Sequence, residues 1–459
     1  MRDGIRELDH AGQTNVAQMC SDGLRARRFA FSLKKPATED VRSMKRSRTQ
    51  SQGLKHLPFF EVLGEAPEES PAACAATAGL LALRLIDHWV LAGPVMVEPE
   101  SKSIRSVREA IMKLAANDPA REVLLGIVNT MQVLREVDLQ PVLPRIFAYG
   151  QILERGGDLK LAADAFETVL RLGDDEYEAD LVMDSHMRLG FCRRNLGELS
   201  DAEHEYHAAG KIAQRRKESA RILRSETGVA TVAMMRGNLP KADEMLAAIA
   251  VKSAQKGLNE EAAFALHARA VVAQRRGDLK RAVCHAYDAL KRAVQPIERD
   301  RILGDLGAFF IVLKRYDAAL DALTILEATA TTEIVRLNAR INLVVLAARA
   351  GDLDLFTRAR ASVEDATLAS EAEVNYLIES ARGFRRFGQQ ERAIELLTKA
   401  RELARIQGLN RSLFEAEEML QSPQLIVAEQ ASGETPVAVE GPAEDVAREL
   451  RQMAAALAA

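Results

Sequence analysis

The side chains that could do chemistry are few and scattered in this sequence. His204 and His207 lie three residues apart, a spacing that places both imidazoles on one face of a helix and could supply two ligands of a metal site. No third ligand is apparent, so we expect two solvated or packed histidines and no metal. The adjacent carboxylates Glu260 and Glu261 are typical of a solvated helix surface rather than of an acid–base pair.

Sequence motifs of common catalytic sites are absent. The chain has no G-x-S-x-G turn, no Walker phosphate loop, no H-E-x-x-H and no dinucleotide-binding glycine run. Its cysteines, Cys20, Cys74, Cys192 and Cys284, form no C-x-x-C pair, which is typical of idle thiols in a reducing compartment. We therefore expect a cytoplasmic protein that is not an enzyme and binds no cofactor.

Arginines recur near the ends of several predicted helices. They are Arg193, Arg194, Arg236, Arg275, Arg276, Arg349, Arg385 and Arg386. One interpretation is structural, because a cation near a helix C-terminus is stabilised by about 0.3–1 kcal/mol. The other is a basic ridge that binds an acidic peptide or a phosphate-bearing ligand. Their periodic placement favours neither, and these eight arginines are our candidate partner-binding residues.

The predicted helices that carry these side chains recur at a regular spacing along the chain. Hydrophobic content is 47% with only 5% aromatics, which indicates helices with a core of Ala and Leu. One short turn motif recurs along the chain, and we call its glycine position the anchor of each repeat. The seven anchors are spaced by 40 and then by 37 residues: Gly157, Gly197, Gly237, Gly277, Lys314, Gly351 and Gly388. Five positions later the residue is alanine in six of the seven repeats and Phe356 in the sixth. Glycine suits the left-handed end of a first helix, and a second helix follows at once.

This pattern resembles the tetratricopeptide repeat (TPR) family over about residues 140–420. The first-helix pair and the second-helix aromatic of that family match Tyr149-Gly150, Leu189-Gly190, Leu306-Gly307, Phe166 and Tyr206. The usual period of the family is 34 residues, so these repeats of 37–40 are divergent. The resemblance implies an all-α superhelical solenoid of about seven repeats, whose concave face of first helices holds a partner peptide or helix.

The remaining chain divides into three regions. Residues 1–70 carry a basic stretch at 24–55 without hydrophobic periodicity, and we expect disorder there. Residues 71–139 are helical in pattern, as a bundle or as degenerate repeats. Residues 421–459 contain an acidic linker and a short amphipathic helix, which could cap the last repeat or bind a partner groove.

The sequence therefore predicts a non-catalytic scaffold or adaptor for a protein or peptide partner, which could be acidic. The alternative is a peptide-sensing TPR regulator that changes curvature on binding, since some bacterial regulators join a helical bundle to about seven such repeats. A net charge of −4 argues against nucleic acid as a partner, except through the basic stretch 24–55. The apolar stretch 72–96 contains Arg84, Asp87 and His88, so we interpret it as a buried helix and expect no membrane partner.

Overall fold

The computed structural model describes residues 55–92, 102–134, 139–364, 366, 368, 370–406, 409–421 and 441–458. The basic stretch 24–55 lies outside these residues except for Lys55, and the linker is outside them between 422 and 440. Every regular element in the described ranges is an α-helix, which confirms the all-α class. The chain divides into two compact units, Met1–Ile212 and Ala213–Ala459, and each is described by itself.

Unit 1 contains four helices followed by two helical hairpins. The four helices are α1 (Leu57–Glu65), α2 (Pro71–Ala92), α3 (Lys102–Met112) and α4 (Pro119–Val133). The hairpins are α5 (Leu143–Gly156) with α6 (Leu159–Leu172), and α7 (Ala179–Asn195) with α8 (Leu199–Arg216), which continues into unit 2.

Helix α1 corrects our expectation of disorder in residues 1–70 over its own span, Leu57–Glu65, and residues 1–54 lie outside the described part of the chain. Phe59 and Phe60 are buried, and these two large apolar side chains hold a short helix against the rest of unit 1. They belong to one hydrophobic core with Trp89 of α2 and Phe166 of α6. Helix α2 is long and apolar enough to cross a membrane, and 56% of that apolar segment is buried inside the protein.

Unit 2 contains five further hairpins and two more helices. The hairpins are α9 (Ser219–Met235) with α10 (Leu239–Gln255), α11 (Asn259–Arg275) with α12 (Leu279–Leu290), α13 (Pro296–Val312) with α14 (Tyr316–Thr329), α15 (Glu333–Ala350) with α16 (Leu353–Ala361), and α17 (Ser370–Arg386) with α18 (Gln390–Ile406). The other two helices are α19 (Asn410–Gln421) and α20 (Pro442–Ala458).

All seven anchors lie in the turn between a first and a second helix. Their φ angles are positive, for example 79° at Gly277 and 57° at Lys314, the one anchor that is not glycine. The residues five positions later are no more than 1% exposed: Ala162, Ala202, Ala242, Ala282, Ala319, Phe356 and Ala393. The repeat register read from the sequence is therefore confirmed.

The sixth hairpin accommodates its phenylalanine with the help of the seventh. A Cβ atom added to Gly383 of α17 would lie 2.1 Å from Cε2 of Phe356. The same kind of pairing occurs inside the first hairpin, where a Cβ on Gly150 would lie 2.7 Å from Cε1 of Phe166. In both places the missing side chain of a glycine makes room for an aromatic ring.

The C-terminal helix α20 does not cap the last repeat, which corrects one of our two expectations for it. It packs on α12 and α14, the second helices of the fourth and fifth hairpins. Leu450 of α20 is fully buried there. An apolar stripe is stabilised wherever it finds a complementary apolar groove, and for α20 this groove lies two hairpins before the end of the array.

Candidate functional site

A groove of about 1420 Å³ opens in unit 1 between the second helices α6 and α8. Helix α7 lines it with His186, Leu189 and Arg193, and His56 lines it together with Leu57, Pro58 and Glu61 of α1. The lining is rich in charged side chains of both signs. Two histidine–carboxylate clusters lie among these charged side chains.

The first cluster surrounds His56, whose side chain is 2% exposed. Nδ1 of His56 lies 2.6 Å from Oδ2 of Asp164, and Nε2 lies 3.5 Å from Oδ2 of Asp87. Arg171 also donates to Asp87, at 2.6 Å. Burial lowers the pKa of His56, but the hydrogen bonds with Asp164 and Asp87 outweigh burial and raise the pKa above its ordinary value.

The second cluster surrounds Glu205. Its Oε2 lies 2.6 Å from Nδ1 of His186, and its Oε1 accepts a hydrogen bond of 2.7 Å from Arg193. Burial raises the pKa of Glu205, but His186 and Arg193 lower the pKa more and keep the carboxylate charged. Arg193 also binds Glu167 at 2.6 Å. The charged groups of this cluster therefore pair with one another through hydrogen bonds.

The cysteine beside this groove is not a reactive thiol. Burial raises the pKa of the neighbouring Cys192 thiol to about 12, so this cysteine stays protonated and unreactive at neutral pH. The first cluster contains His56, Asp87 and Asp164, which are far apart in sequence. Only the folded structure brings them together, so no local sequence pattern could have predicted this cluster.

The first helices of unit 2 form a second surface, whose residues are identified by counting from each anchor towards the N-terminus. Positions 13, 9, 6 and 2 before an anchor follow helical spacing and lie on one face of the helix. We call this face, over the five first helices of unit 2, the first-helix stripe. Its members are Arg224, Gly228, Thr231 and Met235 on α9, Phe264, Ala268, Val271 and Arg275 on α11, Arg301, Asp305, Ala308 and Val312 on α13, Asn338, Asn342, Val345 and Arg349 on α15, and Asn375, Glu379, Arg382 and Arg386 on α17.

The first-helix stripe is mostly accessible and carries a net positive charge, although Arg224, Arg301 and Arg382 also lie in ion pairs with the neighbouring Glu261, Glu298 and Glu415. All but two of its twenty members, Gly228 and Glu379, are exposed or half-buried. It carries six arginines against two carboxylates. The first helices that bear it contact one another in succession, so the stripe runs over five neighbouring helices of unit 2. The guanidinium of Arg224 lies 4.8 Å from the ring centroid of Phe264 on the next first helix.

The structure separates the eight candidate arginines. Arg275, Arg349 and Arg386 belong to the first-helix stripe, and all three are exposed. Arg276 and Arg236 are exposed but lie one position before their anchors, off the stripe. Arg276 is 3.6 Å from Asp243.

The other three arginines lie in more enclosed surroundings. Arg193 is held by two carboxylates, as described above, and the Arg194 guanidinium lies 5.1 Å from the ring centroid of Phe191. Arg385 is buried and donates to the carbonyl of Met419, and burial lowers its pKa. The anchor register was the signal that could have separated the stripe arginines from the others.

Comparison with known proteins yields similarity at the level of solved structures. No protein-family model matches the sequence, and no match was found among curated proteins. A Rap protein complexed with Competence and Sporulation Factor is 14% identical, with a TM-score of 0.43, covering 75% of this chain and 99% of that chain.

Two further solved structures are similar to this chain. The Rap conjugation gene regulator of the plasmid pLS20, in complex with the Phr* peptide, is 12% identical with a TM-score of 0.45, covering 78% of this chain and 99% of that chain. The apo form of the quorum sensor NprR from B. thuringiensis is 12% identical with a TM-score of 0.43, covering 72% and 88% of the two chains. This likeness is confined to the helical fold.

Proposed function

We propose that this protein is a non-catalytic scaffold or adaptor that binds an extended, acidic segment of a partner protein along the first-helix stripe. The observation that carries the proposal is the composition of the stripe, with six arginines against two carboxylates on five consecutive first helices. An excess of positive charge on one face attracts an anionic ligand and opposes a cationic one.

The side chains of the stripe suit an extended peptide. Asn338, Asn342 and Asn375 lie on two neighbouring first helices, and each amide can both donate to and accept from a peptide backbone. Arg349 and Arg386 extend the same two rows, and a guanidinium binds a carboxylate in a bidentate manner. Backbone contacts from asparagine and carboxylate contacts from arginine together would give affinity and select for acidic residues.

Photo-crosslinking tests this proposal in cells. A photoreactive phenylalanine analogue is placed at Asn342, on the stripe, or at Glu244, which is exposed on the second helix α10. We expect one partner to be crosslinked from Asn342 and not from Glu244. Arg349→Glu should abolish that crosslink, whereas Arg276→Glu, an exposed arginine off the stripe, should preserve it. Equal crosslinking from both positions, or loss with both arginine variants, would contradict the assignment of the stripe.

Solution scattering then separates an adaptor from a peptide-sensing regulator. A synthetic peptide is made from the crosslinked segment of the partner and added to the purified full chain. A radius of gyration that stays constant on binding supports the adaptor. Compaction on binding would instead assign the protein to the regulators that change curvature.

A further inference from the structure

We propose that the groove between the second helices α12 and α14 is a second interaction surface, which binds an amphipathic helix of a partner protein. The chain's own helix α20 fills this groove in the structure and shows what the ligand must look like. This surface is formed by second helices, so it is separate from the first-helix stripe.

The apolar contacts of α20 define the ligand's buried face. Ala443, Val446, Ala447 and Leu450 are no more than 5% exposed, and Met453 and Ala454 continue the row as partly buried residues. This is the spacing of an amphipathic helix that lies in a groove.

Charged contacts at the rim fix the direction of the ligand. Near the N-terminus of α20, Glu444 accepts a hydrogen bond from Arg315, which is 13% exposed. Further along, Arg451 donates to Asp317 at 2.7 Å. On the other wall, the hydroxyl of Tyr287 donates to Glu449. A ligand helix must therefore carry an acidic first turn and a basic residue about two turns later.

The α14 wall of this groove is more apolar than the corresponding face of the second helix α8 in unit 1. The positions 8 and 11 after the anchor of α8, Glu205 and Ala208, line the groove in unit 1. The corresponding residues of α14 are Ala322 and Ile325, which are no more than 2% exposed. Ala322 of α14 thus occupies the position that the charged Glu205 occupies on α8. The groove beside α14 is therefore suited to an apolar stripe.

Helix α20 is placed to be exchanged for a ligand supplied in trans. It is not the next element of the array, since it follows α19 but packs on the fourth and fifth hairpins. Residues 422–441, which join it to α19, include prolines and glycines. Three members of its apolar row, Ala443, Ala447 and Ala454, are alanines, and binding in cis is aided by the high effective concentration that a linker provides. A partner helix with larger apolar side chains would bury more surface and displace α20.

Peptide binding to the full chain tests the proposal. The ligand is a fluorescent synthetic peptide with the sequence of residues 441–458, and the readout is fluorescence anisotropy. In the full chain, Leu450→Asp places a charge in the groove and should release α20. We expect the peptide to bind this variant at least tenfold more tightly than the wild-type chain, whose groove is filled. The same peptide carrying Leu450→Asp should bind neither chain.

A charge exchange ties binding to this groove. Adding Arg315→Glu to the Leu450→Asp chain should weaken binding of the native peptide at least fivefold, and a peptide with Glu444→Arg should recover most of the loss. If Leu450→Asp impairs folding, judged by circular dichroism, the chain variant Glu444→Arg with Arg451→Glu releases α20 without touching its apolar row. Equal binding to released and wild-type chains, or binding indifferent to Arg315→Glu, would overturn the proposal.

The oligomeric state separates a partner helix from a second copy of the chain. We expect light scattering to give the mass of a monomer for the wild-type chain, and the same mass for the variant in which α20 is released. A dimer that dissociates in the Leu450→Asp variant would show that α20 of another copy fills the groove, and would overturn the assignment to a different protein.

Discussion

At the scale of single residues, His267 is held by two carboxylates beside the first-helix stripe. Its Nδ1 lies 2.7 Å from Glu298 and its Nε2 lies 2.8 Å from Asp305, so it joins the first helices α11 and α13. Burial lowers the pKa of His267, but the hydrogen bonds that its ring donates to Asp305 and Glu298 outweigh burial and raise the pKa to about 9.

This contact predicts a loss of stability in mild alkali. Because the folded-state pKa is raised above the ordinary value of 6.5, the stabilisation is complete below that value and disappears as the pH passes about 9. We expect His267→Gln to cost about 2–3 kcal/mol of unfolding free energy at pH 6 and much less at pH 10. Urea unfolding of both proteins at several pH values measures the difference.

His285→Gln is the matched control for the His267 prediction. Burial, together with Arg269 and Arg281, lowers the pKa of His285, so its removal should produce no such loss above pH 7. Parallel stability curves for wild type and His267→Gln would show that the histidine is not charged in the folded protein.

Single residues also show how far the sequence predicts the candidate site. The anchor register alone places Arg275, Arg349 and Arg386 on one helical face. It does not reveal that Arg193 is held by carboxylates of α6 and α8, or that Arg385 is buried beside α19, because those contacts depend on how separate helices pack. Local spacing predicts which face a residue occupies, and packing decides whether it is free to bind.

At the scale of elements, the Phe356–Gly383 pair shows how the repeat tolerates its largest departure. Sequence comparison of the repeats identifies Phe356 as an exception, but its compensating glycine belongs to the next hairpin. The ring also contacts the ring of Phe384, with 5.4 Å between centroids. The exception is therefore a local repacking of two hairpins, with the repeat otherwise preserved.

A double-mutant cycle tests the coupling of these two residues. Phe356→Ala should cost about 3–5 kcal/mol because it leaves a cavity. Gly383→Ala should cost about 1–3 kcal/mol because its Cβ would collide with the ring. The double variant restores the alanine of the other repeats, and we expect it to be at least about 1 kcal/mol more stable than the sum predicts. Urea unfolding gives all four values.

Gly304→Ala provides the comparison for the Gly383 variant. Gly304 is also inside a first helix, but a Cβ there would have its nearest neighbour at 3.7 Å. Alanine should be neutral or stabilising by up to about 1 kcal/mol, because it favours the helix. Strict additivity in the Phe356–Gly383 cycle would mean that the ring moves away freely.

At the scale of the whole molecule, the repeat continues in register through the boundary between the two compact units. The boundary falls inside helix α8, between the anchors Gly197 and Gly237, and nothing in the repeat pattern marks it. The repeat pattern of the sequence predicted the helical hairpins, because each hairpin is defined by its own turn and its own apolar stripe. It failed for α1 and for the position of α20, because both depend on residues distant in sequence.

Ala282→Arg tests the register of the array as a whole. Ala282 is fully buried, and a guanidinium there would be forced between two helices without a partner. We expect a loss of more than about 4 kcal/mol, with hydrogen-exchange protection lost chiefly in α11 to α14, since each repeat is stabilised by its neighbours. Helices α5 and α6 provide the internal reference.

Lys280→Arg, at an exposed position of the same helix, controls for the added guanidinium. It should leave thermal melting and exchange protection unchanged. Unaltered melting of Ala282→Arg would mean that the assigned register is wrong.

The position of α20 has a consequence for synthesis of the chain on the ribosome. Tyr287 and Glu449 touch although they are 162 residues apart, and α20 begins 113 residues after α14 ends. At about 5–20 residues per second, the groove is complete for on the order of ten seconds before the helix that covers it has been translated. A nascent chain therefore displays an apolar groove that the finished protein conceals. Ribosome-associated chaperones, or a partner already present in the cell, can reach it during that interval.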